Sequence, residues 1–337
     1  MKHITSSILV LFFFAQSFAM GSEPNNEFTE NAFLGMWTLD IEGGSVGWLH
    51  VHEDKGFLDA ELLWQGGSVL PVSHVYLVDE QNLVATRTYE MPRGEDRKHT
   101  ITYTLKVQKT SDGISGMLVA PNRSGMGEKT TAFTGVLLPD VPPAPDLSSV
   151  KYGEPIQLFN GKDLTGWKLI GNKRKNGFKA IDGELVNDPV QPKNGDHVYY
   201  GNLRTEQEFQ AFNLKLEVNV PEGNNSGVYL KGMYEVQVND TYGKELDPHN
   251  MGALYSRITP SVAAEKPAGS WQTLDITLYQ RHVTVILNGQ NIIDNQPIYG
   301  PTGGAIIADV FAPGPIFLQG DHGNVKYRNI VLTPIIE

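Results

Sequence analysis

Residues 212–220, FNLKLEVNV, carry an apolar side chain at every second position: Phe212, Leu214, Leu216, Val218 and Val220. A period of two places these on one face of a strand and their polar neighbours on the other. Similar short runs, alternating or wholly apolar, recur along most of the chain, among them VGWLHVH, TITYTLKVQ, AFTGVLL, WQTLDITLY and HVTVILNG. Gly, Asn, Asp or Pro clusters separate them at hairpin spacing, and no segment sustains a 3.6-residue period. The chain is expected to be all-β.

The runs fall into two groups. Between them lies PDVPPAPDLSSVKYGEP, residues 139–155, with prolines that remove backbone donors and favour extended chain. This stretch reads as a linker. Residues 32–138 hold about eight strand signals, which suggests an up-and-down barrel or a small sandwich; a small antiparallel β-barrel is the expectation. Its Gly35-x-Trp37 opening is lipocalin-like. Residues 156–337 predict a two-sheet sandwich, with Asn288-Gly289 supplying the turn chemistry of a hairpin.

The first residues, MKHITSSILVLFFFAQSFAM, have a basic start at Lys2, an apolar core from Ile8 to Phe14 and a small-residue site at Ser17-Phe18-Ala19. This is the pattern of a signal peptide over residues 1–19, and it predicts a periplasmic or secreted protein. The apolar run falls short of the roughly 20 residues that span a bilayer, so no membrane association is expected after its removal. The chain has no cysteine, which excludes disulfides and thiolate catalysis. Its net charge of −11, without a run of Lys and Arg, disfavours nucleic acid and suits a neutral ligand. No Gly-rich strand-to-helix fingerprint appears, so no nicotinamide cofactor is expected. The sequence carries no signal for an oligomeric state.

Residues 224–240, NNSGVYLKGMYEVQVND, hold two strand signals in succession. Alternation sends Val236 and Val238 into the sandwich and Glu235, Gln237 and Asn239 to the other face, with Tyr229 and Lys231 on the preceding strand facing the same way. The expected result is a solvent-open patch with an aromatic ring, amides and opposed charges, which suits a polyhydroxylated ring. The plainer reading is that outer faces of antiparallel sheets are polar in any case. An E-x-D-x-x-E nucleophile motif is absent. A retaining glycosidase needs two carboxyls about 5 Å apart, so ordinary retaining hydrolysis is disfavoured.

Several motifs tie residues 156–334 to a known family: LFNGKDLTGW, NNSGVYLKGMYEVQVND, GALY, AGSWQTLDITLY, VILNGQNI and GPIFLQGDHGNVKYRNIVLTP. The segment resembles the 3-keto-disaccharide hydrolases, also described as 3-keto-glucoside 1,2-lyases/3-keto-2-hydroxy-glucal hydratases. The resemblance implies a concanavalin-like jelly roll and an enzyme that cleaves 3-keto-glycosides by elimination across C1–C2, hydration, or both. Such chemistry needs a base near C2, a donor or cation at the C3 oxygen and an acid near the leaving oxygen. Glu235 is expected as the base, Lys231 as the stabiliser of enolate charge and His322 as an acid/base, all three converging on one concave face. Tyr229, Gln237, Asn239, Tyr255 and Gln319 are expected to bind the sugar. A divalent metal held by Glu235, Asp240 and Asp321 is a further expectation. The alternative is a non-catalytic carbohydrate-binding module on the same fold.

Overall fold

In the computed structural model, which describes residues 31–92, 98–171, 174–193 and 196–336, the alternating runs are strands. The expected signal peptide lies outside the described residues, and no α-helix occurs among them. No helix there is long and apolar enough to cross a membrane.

The first group supplies β1 (Gly35–Ile41), β2 (Ser45–Asp54), β3 (Phe57–Leu63), β4 (Leu70–Pro71), β5 (His74–Asp79), β6 (Asn82–Pro92), β7 (Lys98–Lys109), β8 (Ile114–Pro121) and β9 (Glu128–Leu137). The hydrogen-bonded order is β4-β3-β2-β1-β9-β8-β7-β6-β5, all antiparallel. Both ends of that order belong to one continuous run of chain. Residues 70–71 pair with β3, and residues 74–79 pair with β6. Between them Val72 N–H donates to Ala60 O (2.9 Å) and Ser73 N–H to Thr86 O (2.7 Å). A single stave therefore changes neighbours midway and closes the sheet into a barrel, which removes the free edges an open sheet would carry. Alternate positions fill the interior: Trp37, Leu39 and Ile41 from β1, Leu49 and Val51 from β2, Leu105 and Val107 from β7. The lipocalin likeness rests on the Gly35-x-Trp37 opening alone.

The second group supplies β10 (Lys151–Tyr152), β11 (Ile156–Gln157), β12 (Trp167–Leu169), β13 (Phe178–Ile181), β14 (Glu184–Asn187), β15 (Leu203–Thr205) and β16 (Phe212–Asn219). It continues with β17 (Asn225–Leu230), β18 (Tyr234–Asn239), β19 (Trp271–Tyr279), β20 (His282–Leu287), β21 (Gln290–Pro297), β22 (Phe317–Leu318) and β23 (Val325–Ile336). One sheet runs β13-β14-β23-β16-β19-β20-β21, with β10 and β11 also on β23; the other runs β12-β15-β22-β17-β18. Strands far apart in sequence lie side by side in both, as a jelly-roll sandwich requires. The inner faces are those that alternation picks out: Phe212, Leu214, Leu216 and Val218 from one sheet, Val228, Val236, Val238 and Leu318 from the other. Asn288 (φ 51°) and Gly289 (φ 83°) form the tight turn between β20 and β21, the left-handed pair such hairpins favour.

The stretch expected as a linker is built into the sandwich edge. Lys151–Tyr152 pairs with β23, Gly153 N–H donates to Pro334 O (2.8 Å), and Asn295 Nδ2 donates to Pro145 O (2.9 Å). Barrel and sandwich also share a core. Trp48, Leu63 and Leu138 point out of the barrel into the apolar cluster of the sandwich. The Trp48 indole donates to Tyr299 O (3.1 Å), and the Arg257 guanidinium lies 4.2 Å from its ring. A Cβ at Gly300 would sit 2.4 Å from the indole nitrogen, so only glycine admits this approach.

Because Trp48 bridges two units that each have an interior, it is expected to couple their unfolding. Scanning calorimetry of the full chain should show one transition. Trp48→Ala should cost about 3–5 kcal/mol and separate the transition into two. Two transitions already present in the unsubstituted chain would show that the shared core does not couple the units.

Candidate functional site

Strands β17 and β18 pair so that Tyr229 lies opposite Glu235, Gly227 opposite Gln237 and Asn225 opposite Asn239. Val236 and Val238 are fully buried in the sandwich, as alternation predicts. The opposite face departs from expectation. Glu235 is 3% exposed, and Tyr229 and Gln237 are also buried. The acid and its neighbours are not an open patch, because a second layer of chain covers them.

That layer is the segment from Tyr299 to Gly304. Thr302 Oγ1 accepts the Glu235 N–H (2.8 Å), and Thr302 N–H donates to Met233 O (3.1 Å). Arg257 Nε and Nη2 hold Pro301 O (2.9 and 2.6 Å), while Trp48 holds Tyr299 O. The barrel takes part directly: Gly304 N–H donates to Gln65 O (2.8 Å) in the loop after β3. On the far edge of β18, Tyr255 N–H donates to Glu235 O (3.0 Å) and Gln237 N–H to Ala253 O (2.9 Å). Glu235 is thus buried between its strand neighbours and the 299–304 segment.

Within this enclosure the Tyr229 hydroxyl lies 2.8 Å from Glu235 Oε2 and 2.6 Å from Gly303 O. A phenol has one proton, and a carbonyl oxygen only accepts. The Tyr229 proton therefore satisfies Gly303, and the bond to Glu235 requires a proton on the carboxyl. The electrostatics agree. Burial is the largest influence on Glu235 and pushes it up to about 8. Burial, with Glu235 beside it, holds Tyr229 well above its ordinary value. Gly227 makes room for the acid: a Cβ there would fall 2.1 Å from Glu235 Oε1. The Tyr229 ring stacks on Phe317 at 3.8 Å and 13°, which fixes the phenol.

Of the expected sugar-binding residues, Tyr229, Gln237, Asn239, Tyr255 and Gln319 gather on this face or its margin. Gln319 N–H donates to Gly227 O (3.0 Å), which sets it abreast of Gln237. Asn239 Nδ2 donates to His249 O (3.3 Å), and the half-buried Tyr255 meets the His249 ring edge-on at 5.0 Å. His249 in turn reaches the barrel, with Nε2 2.9 Å from Ser68 Oγ.

The expected convergence of Glu235, Lys231 and His322 is not found. Lys231 takes a left-handed turn conformation (φ 56°) straight after β17, and its ammonium bonds Val310 O. It shares its surroundings with Tyr234, which alternation puts on the face of β18 opposite Glu235. The expectation missed this because it extended the strand's alternation through Lys231, where the backbone has already turned. His322 is exposed on the turn after β22. Partial desolvation lowers its pKa, opposed by Asp321; Glu235 and Lys231 are not among its influences.

The three carboxylates expected as metal ligands do not form a set. Asp240 accepts Gly223 N–H (2.9 Å), and it lies five residues along the strand from Glu235, about 16 Å. Asp321 accepts Tyr200 N–H (2.8 Å) and faces Arg174 and His197. Among the described residues, no three His, Asp or Glu side chains are placed to hold a metal ion. The residues present do not fit the metal reading.

Sequence reasoning missed Gly227, Thr302, Gly303 and Arg257. A glycine inside the strand NSGVYL signals close approach by another group, so Gly227 had a readable mark. Thr302 and Arg257 carry none.

The family described as the 3-keto-alpha-glucoside-1,2-lyase-like domain matches residues 154–333, more than half of the chain. A 3-keto-disaccharide hydrolase of Bacteroides thetaiotaomicron is 24% identical over 170 residues, covering 41% of this chain and 57% of that protein. The chain thus spans under two thirds of that relative's length. A crystal structure of a candidate glycosyl hydrolase from Parabacteroides distasonis ATCC 8503 is 28% identical, covers 57% of this chain and 92% of its own, and superposes with a TM-score of 0.43. A second such structure from the same strain is 21% identical, covers 53% and 92%, and gives 0.42.

The buried acid has a thermodynamic signature. Glu235 titrates near 4.5 in unfolded chain and near 8 when folded. Between these values only the folded chain holds the proton, so stability is full below about 4.5 and declines as pH rises to about 8. Glu235→Gln should remove that decline, leaving the variant more stable than the parent by a few kcal/mol at about pH 9 and equal to it at about pH 4. Thermal melts across pH check this. Parallel profiles would mean that the carboxylate is solvated.

Proposed function

The chain belongs to the family of 3-keto-alpha-glucoside-1,2-lyase-like domains, and from that premise we propose that it is an exported enzyme that cleaves 3-keto-glycosides by elimination across C1–C2, with or without rehydration. The observation that carries the reading is the Glu235–Tyr229 pair: a carboxyl in a dry site, with a pKa brought close to the working range of a general acid/base.

A ketone at C3 acidifies the hydrogen on C2. Glu235 as carboxylate takes that proton, and the C2–H electron pair passes into the ring as an enolate. Expulsion of the group at C1 breaks the C1–O bond and forms the C1–C2 double bond of a 2-hydroxy-3-keto-glucal. The leaving oxygen needs one proton, and the carboxyl now carries one. Addition of water, OH to C1 and H to C2, gives the free 3-keto sugar and net hydrolysis. Tyr229 orients the carboxyl, and Gln237, Asn239, Gln319 and Tyr255 supply hydrogen-bonding groups for the ring hydroxyls.

Substrate reaches Glu235 only when the Thr302–Gly304 segment lifts. Lifting also admits water and relieves the desolvation that raised the acid's pKa, so opening converts a stored proton into an available base. A periplasmic or secreted location fits the leader pattern of residues 1–19.

Incubating the full chain with methyl 3-keto-glucoside should produce the near-UV absorbance of a conjugated enone, or free 3-keto-glucose where water adds. Glu235→Gln should lower kcat/KM by at least about 1000-fold and Tyr229→Phe by about 10–100-fold. The kcat/KM of the parent should rise with pH through about 8, since the free enzyme must lose the Glu235 proton. Saturable binding of the keto sugar without turnover would favour the alternative, a carbohydrate-binding module.

A further inference from the structure

A cavity of about 680 Å³ lies at the end of the sandwich, and Glu235 does not line it. The turn after β17, the turn between β19 and β20, residues 207–211 and the start of the former linker enclose it. Its walls are mainly apolar: Phe209, Leu278, Val310, Phe311, Pro334 and Ile335. Polar residues also stand in its wall, and three of them, Lys231, Arg281 and Tyr234, are poorly paired. The Lys231 side chain is 3% exposed, with a single backbone carbonyl as its hydrogen-bond partner. Arg281 gives Nη1 to Pro139 O (2.6 Å), but its Nε–H is buried without a partner. The Tyr234 hydroxyl, 1% exposed at the residue level, is also buried without a partner.

Buried donors are ordinarily paired, and two cations ordinarily do not share an apolar wall. Burial lowers both cations; Arg281 lowers Lys231 further, opposed by Asp309, while Tyr234 and Asp140 oppose the lowering of Arg281. Neither cation forms an ion pair with a described carboxylate. Glu208, also on the wall, is already bonded to Arg204 at 2.6 Å.

We propose that this cavity binds an organic monoanion, a carboxylate on an aromatic or aliphatic body, with its charge set against Lys231 and the Arg281 guanidinium. A carboxylate offers about four acceptor sites, enough for both cations. A dianion is disfavoured by Asp140, Glu208 and Asp309 around the rim, and a free sugar by the apolar walls. Tyr234 and Glu235 are successive residues of β18 on opposite faces, so the site is separate from the proposed chemistry and does not depend on it.

Burial lowers Lys231 to about 8. A bound anion favours the ammonium, so binding near pH 8 should take up a proton. The groups that bear on this titration are Asp309 and Arg281 foremost, then Tyr234, Tyr279, Asp140 and Glu208 on the surrounding elements.

Calorimetric titration of the full chain with 4-phenylbutyrate and with its neutral amide tests the site. The carboxylate should bind at least about tenfold more tightly than the amide. Arg281→Gln and Lys231→Met should each weaken the carboxylate by about tenfold while leaving the amide unchanged. Heats measured near pH 8 in buffers of different ionisation enthalpy should report proton uptake that Lys231→Met abolishes. Equal affinity for acid and amide, no binding of either, or undiminished carboxylate binding by folded Arg281→Gln would each overturn the proposal.

Discussion

Strand β18 has to satisfy two environments, and the sandwich is arranged around how it does so. A period of two commits Tyr234, Val236 and Val238 to one face and Glu235 and Gln237 to the other. In most antiparallel sheets the second face meets water. Here it meets more protein, so the polar side chains need partners supplied by the fold. Thr302 takes the Glu235 backbone, Gly303 takes the Tyr229 proton, and the carboxyl keeps its own. Remove the cover and the acid would titrate like any other.

Much of the fold was legible because alternation is local. FNLKLEVNV gave its inner face residue by residue, Asn288-Gly289 gave a hairpin, and the recurrent short runs gave two β units. What alternation cannot report is what lies against the outer face. Whether Glu235 meets water depends on residues 299–304 and on Gln65 of another unit, contacts of long sequence separation that no periodicity encodes. Lys231 shows a second limit. Period-two reasoning holds only while the backbone stays extended, and the strand ends one residue earlier at Leu230.

Motif spacing carried the candidate site part of the way. It marked Tyr229, Glu235 and Gln237 as residues of two pairing strands, and the register sets Tyr229 opposite Glu235 and Gly227 opposite Gln237. It also grouped Lys231, Asp240, Asp321 and His322 with them, and these are drawn off by nearer partners: Val310, Gly223, Tyr200 and solvent. Residues close in sequence to a functional strand are close in space only along that strand. Across it, the competing hydrogen bonds of each loop decide.

Trp48 resting on Gly300 has an evolutionary consequence. Multi-unit proteins often diversify by exchanging whole units, which works when the seam between them is generic surface. This seam is keyed. A replacement partner for the sandwich would have to bring an indole of its own to the notch at Gly300, an aromatic face for Arg257 and an acceptor for Gly304 N–H. Exchanging either half alone would leave these groups without partners, so the outer wall of the barrel bears on an acid it never touches.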